Sequence, residues 1–277
     1  MDFLLECIGF SPEQPLEELI ELVRVQGEAA PWRGAPENHR RLPLVDGLEL
    51  RIDRETSDAD WNILPHYVTK RRLRIAVDDI RSVPDSRFDA LLVGWAAPPV
   101  REDDESANNL TWQHGNTLTS HAPGAYAIST YLTDARRLPN EVPHGLVLAV
   151  SIAGFALDVS YLGADSGASD PRVFENEDAA FIEPLGGLSE PGGCADVSLR
   201  IQEVVPLVNP ITKQLFDRIE ACAPERPHSL FVSRWQLEAD RLPQPRKGLR
   251  IEGTFMFTGR LAGGLPGPRR TARGSFG

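Results

Sequence analysis

The sequence predicts an α+β fold in which β-strands predominate. Three observations predict it: an amphipathic helical segment near the N-terminus, short alternating apolar segments after it, and one strand-turn-strand pattern that occurs twice. Together they indicate an N-terminal helix with a sheet, a repeated β-hairpin unit and a C-terminal OB-like small barrel or sandwich.

The helix is expected to begin at Leu16, after two prolines. Leu16, Ile20 and Val23 recur at helical spacing, and glutamates occupy the other faces. The period then changes to two, which predicts N-terminal strands at residues 48–53, 72–77 and 90–95. In the C-terminal part, strands are expected at residues 197–205, 214–222, 229–238 and 249–261.

The repeated pattern aligns residues 126–139 with residues 230–243 without gaps. Each copy ends in Arg-Leu-Pro, passes through a polar turn to Gly-Leu and enters another apolar run. Proline ends ladder pairing and glycine permits the backbone to reverse, so the repeated residues have structural roles. We therefore expect residues 126–157 and 230–261 to form superimposable β-hairpins.

Changes in composition divide the chain into five parts. They are an N-terminal α+β region (1–100), a middle β-hairpin region (101–162), an acidic Gly/Pro-rich loop or linker (163–194), a C-terminal small barrel (195–262) and a disordered tail (263–277).

Composition restricts the classes of function. The formal charge of −11 argues against broad binding to phosphates, which requires basic surface. The apolar runs are shorter than the roughly 20 residues that cross a bilayer, and the N-terminus lacks the features of a signal peptide, so a cytoplasmic protein without membrane association is expected. Cys7, Cys194 and Cys222 are odd in number and lack metal-binding spacing, which predicts reduced, partly buried thiols.

Well-defined catalytic and phosphate-binding motifs are absent from the sequence, so no catalytic residue, cofactor-binding residue or metal ligand is assigned. His114 and His121 form the only close histidine pair, with Asp103, Asp104 and Glu105 nearby. Glycine and proline beside the pair favour exposed loop histidines over a metal site.

Two charged segments are also candidates. The first is an acidic loop that lacks the spacing of a calcium site and is interpreted as solvated; its acids are Asp165, Asp170, Glu175, Glu177 and Asp178. The second is a basic run, Lys70, Arg71, Arg72 and Arg74, preceded by Tyr67. On a strand, three of these cations would share one face, where they could meet phosphates; an exposed face that blocks edge pairing is the favoured interpretation.

Three segments resemble a bacterial family of unknown function. FLLECIGFS (residues 3–11) is similar to its N-terminal segment, and NPIT (209–212) and GLRIEGTFMFTGRL (248–261) are similar to its C-terminal turn and strand. Lys213 and Met256-Phe257 depart from the family's pattern. The resemblance implies an architecture and no site.

These patterns favour a non-catalytic module that binds another protein. One alternative is a metal-dependent hydrolase that uses His114, His121 and carboxylates of the acidic loop. The other is single-stranded nucleic-acid binding by the C-terminal barrel. Its aromatic residues alternate as core residues do, which makes nucleic acid an unfavoured partner; they are Phe216, Phe231, Trp235, Phe255 and Phe257.

Overall fold

The computed structural model describes residues 3–29, 36–83, 86–98, 124–139, 141–162, 180–190 and 192–262. The α-helices of this part are α1 (Phe3–Glu6), α2 (Leu16–Gln26) and α3 (Arg234–Ala239). Its strands are β1 (Glu28–Ala29), β2 (His39–Pro43), β3 (Leu48–Asp53), β4 (Asn62–Tyr67), β5 (Leu73–Val83), β6 (Ser86–Ala96), β7 (Tyr126–Leu132), β8 (Val147–Leu162), β9 (Phe181–Pro184), β10 (Cys194–Val208), β11 (Leu215–Ala221), β12 (His228–Ser233) and β13 (Arg250–Leu261). The predominantly β, α+β class is confirmed.

The N-terminal sheet is antiparallel with strand order β1-β2-β3-β4. The predicted helix is α2, which begins at Leu16 and buries Leu19 and Val23 against β2 and β3. Its first turn contains Glu17 and Glu18, whose charge suits the positive end of the helix dipole. The short helix α1 lies against β4 and β8, so it connects this sheet to the larger one.

The larger sheet contains two closed rings of five strands. The first ring runs β5-β6-β7-β13-β8 and returns to β5. The second runs β10-β11-β12-β8-β13 and returns to β10. Both rings contain the long antiparallel pair β8 and β13. On the second ring, Phe155 stacks on Phe231 with centroids 5.3 Å apart, and Tyr67 of the N-terminal sheet packs on Phe231 with centroids 5.1 Å apart.

The strands β5–β8 and β10–β13 follow the same pairing pattern. In each set, three consecutive strands pair antiparallel, and the fourth pairs antiparallel with the first. The third strand of each set lies parallel to the fourth strand of the other set. The glycines that begin the fourth strands, Gly145 and Gly248, both have positive φ, 79° and 89°, as the repeated pattern predicts.

The repeated units differ from the predicted hairpins. Within the described residues, β7 pairs with β6 and β13, and β12 pairs with β11 and β8. Each unit is therefore a strand, a corner and a strand, and its two strands pair with other strands of both sets instead of with one another. We call residues 133–146 the first corner and residues 234–249 the second corner.

The corners also explain why the gapless alignment does not match the strands. Tyr131 lies beside Thr258 on β13, and Phe231 lies beside Phe155 on β8, so Tyr131 corresponds to Phe231 and not to Trp235. The predicted strand at 229–238 is β12 followed by α3. The hydroxyl of Ser233 accepts from the backbone N–H of Gln236, whose side chain accepts from the backbone N–H of Ser233. This capping box ends the strand.

The predicted parts of the chain share one sheet. The C-terminal strands close a ring only with β8, which belongs to the predicted middle region 101–162. Within the predicted linker 163–194, Phe181–Pro184 forms β9, which pairs with the start of β10. The apolar pair Phe181 and Ile182 gives this short segment a residue to bury, and Ile182 is 8% exposed.

Candidate functional site

The first corner closes the outer edge of β13. The backbone N–H and hydroxyl of Thr133 both donate to the carbonyl of Gly259, each at 3.0 Å. Asp134 accepts from the backbone N–H of Leu261 at 2.9 Å, and Arg137 donates to the carbonyl of Leu261 at 2.7 Å. The corner thus continues the hydrogen bonding of the sheet with side chains where β7 ends.

The second corner leaves the corresponding edge of β8 open. On this edge β8 pairs with β5 at residues 147–150 and with β12 at residues 153–155. From Ala156 onward, the edge has no strand partner in the described part of the chain. Arg241 follows Val232 by nine positions, whereas Arg137 follows the corresponding Leu132 by only five. The four additional residues make room for the six-residue helix α3, which lies beside the edge.

A groove of about 230 Å³ lies along this open edge. Its floor is residues 156–159 of β8, and its walls are Glu6 of α1 and Trp235, Gln236, Ala239 and Asp240 of the second corner. We call it the β8 groove. β8 has a β-bulge here, which places both Leu157 and Asp158 on the surface; Leu157 is 38% exposed.

Two side chains hold the inner end of the groove together. The carbonyl of Ala156 accepts from the thiol of Cys7 at 3.0 Å and from the side-chain amide of Gln236 at 3.3 Å. Complete burial raises the pKa of Cys7 to about 12, so the thiol stays protonated and acts as a donor. These bonds fix α1 and α3 on either side of the edge.

Trp235 brings an unsatisfied donor to the groove. Its Nε1 is buried, and no acceptor for it lies within the described residues. A buried N–H without an acceptor costs roughly 1 to 3 kcal/mol. The ionisable side chains that line the groove, Glu6, Asp158 and Asp240, are all acidic. The groove therefore offers apolar surface and negative charge, and one of its lining residues contains a buried donor without an acceptor among the described residues.

A second polar site, the buried cluster, joins the N-terminal sheet to the first corner. It consists of Arg51, Asp53, Asp89, Tyr131 and Thr133. Arg51 is 2% exposed, donates to Asp89 at 2.9 Å and to the carbonyl of Thr133, and places Nε 2.9 Å from Asp53. Asp89 also accepts from Ser86 and Tyr131.

Burial shifts the ionisation of this cluster. Desolvation raises the pKa of Asp53 to about 6, against the attraction of Arg51. Desolvation, with the cations Arg136 and Arg51, lowers the pKa of the neighbouring His39 to about 4. Asp53 and Asp89 are only 4% and 3% exposed, and Arg51 binds both. The cluster is therefore a buried ion network that stabilises the contact between the sheet and the corner.

The histidine pair and the acidic loop lie outside the described residues. This applies to His114 and His121, to Asp103, Asp104 and Glu105, and to all five acids of the loop, Asp165, Asp170, Glu175, Glu177 and Asp178. In the part of the chain that the structure describes, no group of three or more His, Cys, Asp or Glu side chains could hold a metal ion.

The basic run does not form a row of cations on a strand. β5 begins only at Leu73, so Lys70, Arg71 and Arg72 precede it. Arg71 binds Glu220, and Arg74 binds Glu225 at 2.7 Å. The hydroxyl of Tyr67, which is 8% exposed, accepts from Arg218 at 2.7 Å. Arg71 and Arg74 are thus engaged in ion pairs, and Tyr67 is engaged in a hydrogen bond. These residues do not form the predicted cationic face of a strand.

The core interpretation of the barrel aromatics is confirmed for four residues. Phe216, Phe231, Phe255 and Phe257 are at most 1% exposed. Trp235 differs because it lies in α3 beside the groove. The predicted partial burial of the cysteines is also confirmed, since Cys7 is buried and Cys194 and Cys222 are partly buried.

The residues of the β8 groove were not recognised in the sequence. The gapless alignment paired Trp235 with Tyr131, which concealed the longer second corner. A signal was present in Ser233 and Gln236, whose spacing is that of a capping box before Leu237.

Comparison with known proteins identifies no relative. No protein-family model, no curated protein and no solved structure matches this chain. This outcome is consistent with the resemblance to a family of unknown function. Among the described residues, no helix has the length and apolar character that crossing a membrane requires.

Proposed function

We propose that this chain is a cytoplasmic, non-catalytic protein-interaction module, and that it binds an extended segment of a partner protein in the β8 groove. The observation that carries the proposal is the open edge of β8 beyond Ala156. An exposed strand edge binds an extended peptide through main-chain hydrogen bonds, and adjacent pockets select its side chains.

The surroundings of the edge support this mode of binding. α1 and α3 form two walls that would guide a strand along residues 156–159, and Cys7 and Gln236 hold those walls in place. Exposed Leu157 supplies apolar contact, and Trp235 adds an aromatic side chain to the lining. The volume of about 230 Å³ is below the roughly 300 to 1,000 Å³ of small-molecule pockets, so it suits single side chains of a peptide.

The pairing pattern bears on how such an edge arose. We infer that strands β5–β8 and β10–β13 descend from one unit, because the equivalent backbone bonds recur. Val77 donates to the carbonyl of Leu146, and Ile201 donates to that of Leu249, both at 2.8 Å. The longer second corner then distinguishes the two copies and opens one of two equivalent edges.

Capture of partners by groove variants tests the proposal. Ala239 is exposed and lines the groove, so Ala239→Trp fills it, whereas Glu238→Trp adds the same side chain to the next exposed position outside the lining. Wild-type protein and the Glu238→Trp control should recover the same proteins from native extract, and Ala239→Trp should lose them. Equal recovery by all three proteins would contradict a role for the groove.

A further inference from the structure

We propose that the partner segment is basic: an extended peptide that places an arginine or lysine side chain in the β8 groove beside an apolar residue. This inference rests on the proposed function and names the chemistry of the occupant. The groove separates into a negatively charged part and an apolar part, and each part selects one kind of side chain.

Negative charge lines the groove from two elements. Asp158 belongs to β8, and Asp240 follows the last residue of α3. Both side chains are exposed, and no basic side chain of the described residues lines the groove. A cationic side chain between two carboxylates gains from both, whereas an acidic side chain is repelled by both.

Aromatic and apolar surfaces complete the selection. The indole of Trp235 lines the same groove, and a cation over an indole face is attracted by its π system. Leu157 provides apolar surface next to Asp158. Alternate side chains of an extended peptide face the same side. A peptide with a basic and an apolar residue close together in sequence can therefore place both side chains in the groove.

The charge of the whole protein favours the same partner. The net charge of −11 produces a negative field around the molecule, which speeds the approach of a basic segment and slows that of an acidic one. Since these charges are exposed, the effect should weaken as salt is added.

Fluorescence anisotropy with labelled peptides of about seven alternating residues tests the assignment. Three probes share a valine and threonine framework and carry Arg, Gln or Glu at the central polar positions. We expect the Arg peptide to bind the full-length protein at least about tenfold more tightly than the Gln peptide, and the Glu peptide to bind most weakly. Raising the salt concentration should reduce this preference.

Charge reversal locates the effect. Asp158→Lys with Asp240→Lys should weaken binding of the Arg peptide by about tenfold or more and reverse the preference between the Arg and Glu peptides. The matched control, Glu13→Lys with Asp60→Lys, changes two exposed acids outside the groove and should stay within about twofold of wild type. Equal effects of the two double variants would overturn the assignment, because only the net charge would then matter.

The outcomes separate the ligand class from the proposed function. If the Gln or Glu peptide binds as well as the Arg peptide and Ala239→Trp abolishes binding, the groove binds peptides but the basic class is wrong. If Ala239→Trp leaves both peptide binding and partner capture unchanged, the proposed function fails as well.

The chain's own C-terminal residues contain Arg269, Arg270 and Arg273 and supply an internal control. Replacing the three arginines by glutamate should leave the affinity for the Arg peptide within about twofold of wild type, once the effect of the added negative charge is subtracted. An increase of about tenfold or more would identify these residues as the occupant and overturn the assignment to a partner.

Discussion

Two equivalent edges of the large sheet differ in this protein in how the adjacent corner binds them. The edge of β13 is closed by the first corner, where Thr133, Asp134 and Arg137 bind its backbone. The edge of β8 beyond Ala156 has no strand partner among the described residues, and the longer second corner places α3 beside it. The comparison shows that one additional helical turn changes a closed sheet edge into a groove without altering the strand pairing around it.

Side chains fix the closed edge more strongly than the open one. Asp134 is fully buried, and its two oxygens accept from Leu261 and Arg137. Asp240, in the second corner, is exposed and lines the groove. Substitutions in the two corners should therefore differ in their effect on the free energy of unfolding.

The largest effect is expected for Arg51→Met. The substitution leaves Asp53 and Asp89 buried without their shared cation and removes the bond to the carbonyl of Thr133 that begins the first corner. We expect a loss of about 3 to 5 kcal/mol in the free energy of unfolding. Urea denaturation measures it. Arg24→Met, which removes an exposed pair with Glu21, should leave the free energy of unfolding almost unchanged; similar losses for both variants would disprove the role of the buried cluster.

Asp134→Ala should destabilise the protein by about 2 to 3 kcal/mol. It leaves the backbone N–H of Leu261 without its acceptor and Arg137 without its ion pair. The equivalent test of the open edge is Asp240→Ala, which should change stability by less than about 0.5 kcal/mol. Thermal unfolding of both variants compares the corners directly, and a cost for Asp240→Ala equal to that of Asp134→Ala would remove the distinction.

Acid should loosen the closed corner through His39. Its Nε2 accepts from Arg136 at 2.8 Å, and its pKa is lowered to about 4, below the ordinary value of 6.5. A group with a lowered folded-state pKa contributes stability above its unfolded pKa and loses it as the pH falls through the folded pKa. His39 therefore destabilises the fold between about pH 6.5 and 4.

His39→Gln should reduce this acid sensitivity. Between about pH 7 and pH 4.5, we expect wild type to lose roughly 1 to 2 kcal/mol more than the variant. Asp53 acts in the opposite direction, because a pKa raised to about 6 favours the protonated folded state at low pH. Because both proteins contain Asp53, its contribution cancels when the pH dependence of stability of the variant is subtracted from that of wild type. Parallel pH profiles for the two proteins would contradict the prediction.

The smallest effect is expected for Trp235→Phe in the groove. The substitution keeps an aromatic ring and removes the buried Nε1–H that has no acceptor among the described residues. The free protein should be unchanged or up to about 1 kcal/mol more stable. A loss larger than about 1 kcal/mol in chemical denaturation would contradict the prediction.

The sequence predicts the strands of the large sheet well because their apolar residues alternate. The expected strand at residues 197–205 lies within β10, and the one at 249–261 agrees with β13 to within one residue. Pairing between the sets could not be predicted, because β8 and β13 are far apart in the chain and any apolar strand satisfies the same pattern.

The buried cluster shows a different limit. Glu49, Arg51 and Asp53 alternate along β3 as the solvent face of a strand would, yet all three are buried. Their partners Asp89 and Thr133 belong to β6 and the first corner, so no local sequence pattern predicts the buried cluster. The groove was concealed for a related reason, since the match at Arg-Leu-Pro is correct while the strands before it are displaced by four residues.

Amide hydrogen exchange, followed by NMR in the absence and presence of the Arg peptide, tests the comparison most directly. In the free protein, the amide of Leu261 on the closed edge should exchange far more slowly than the fastest amide of residues 156–159 on the open edge. Adding the peptide should slow exchange at residues 156–159 and leave residues 259–261 unchanged. If residues 156–159 are as protected as Leu261 in the free protein, or if the peptide protects neither edge, the open edge of β8 is not the binding site.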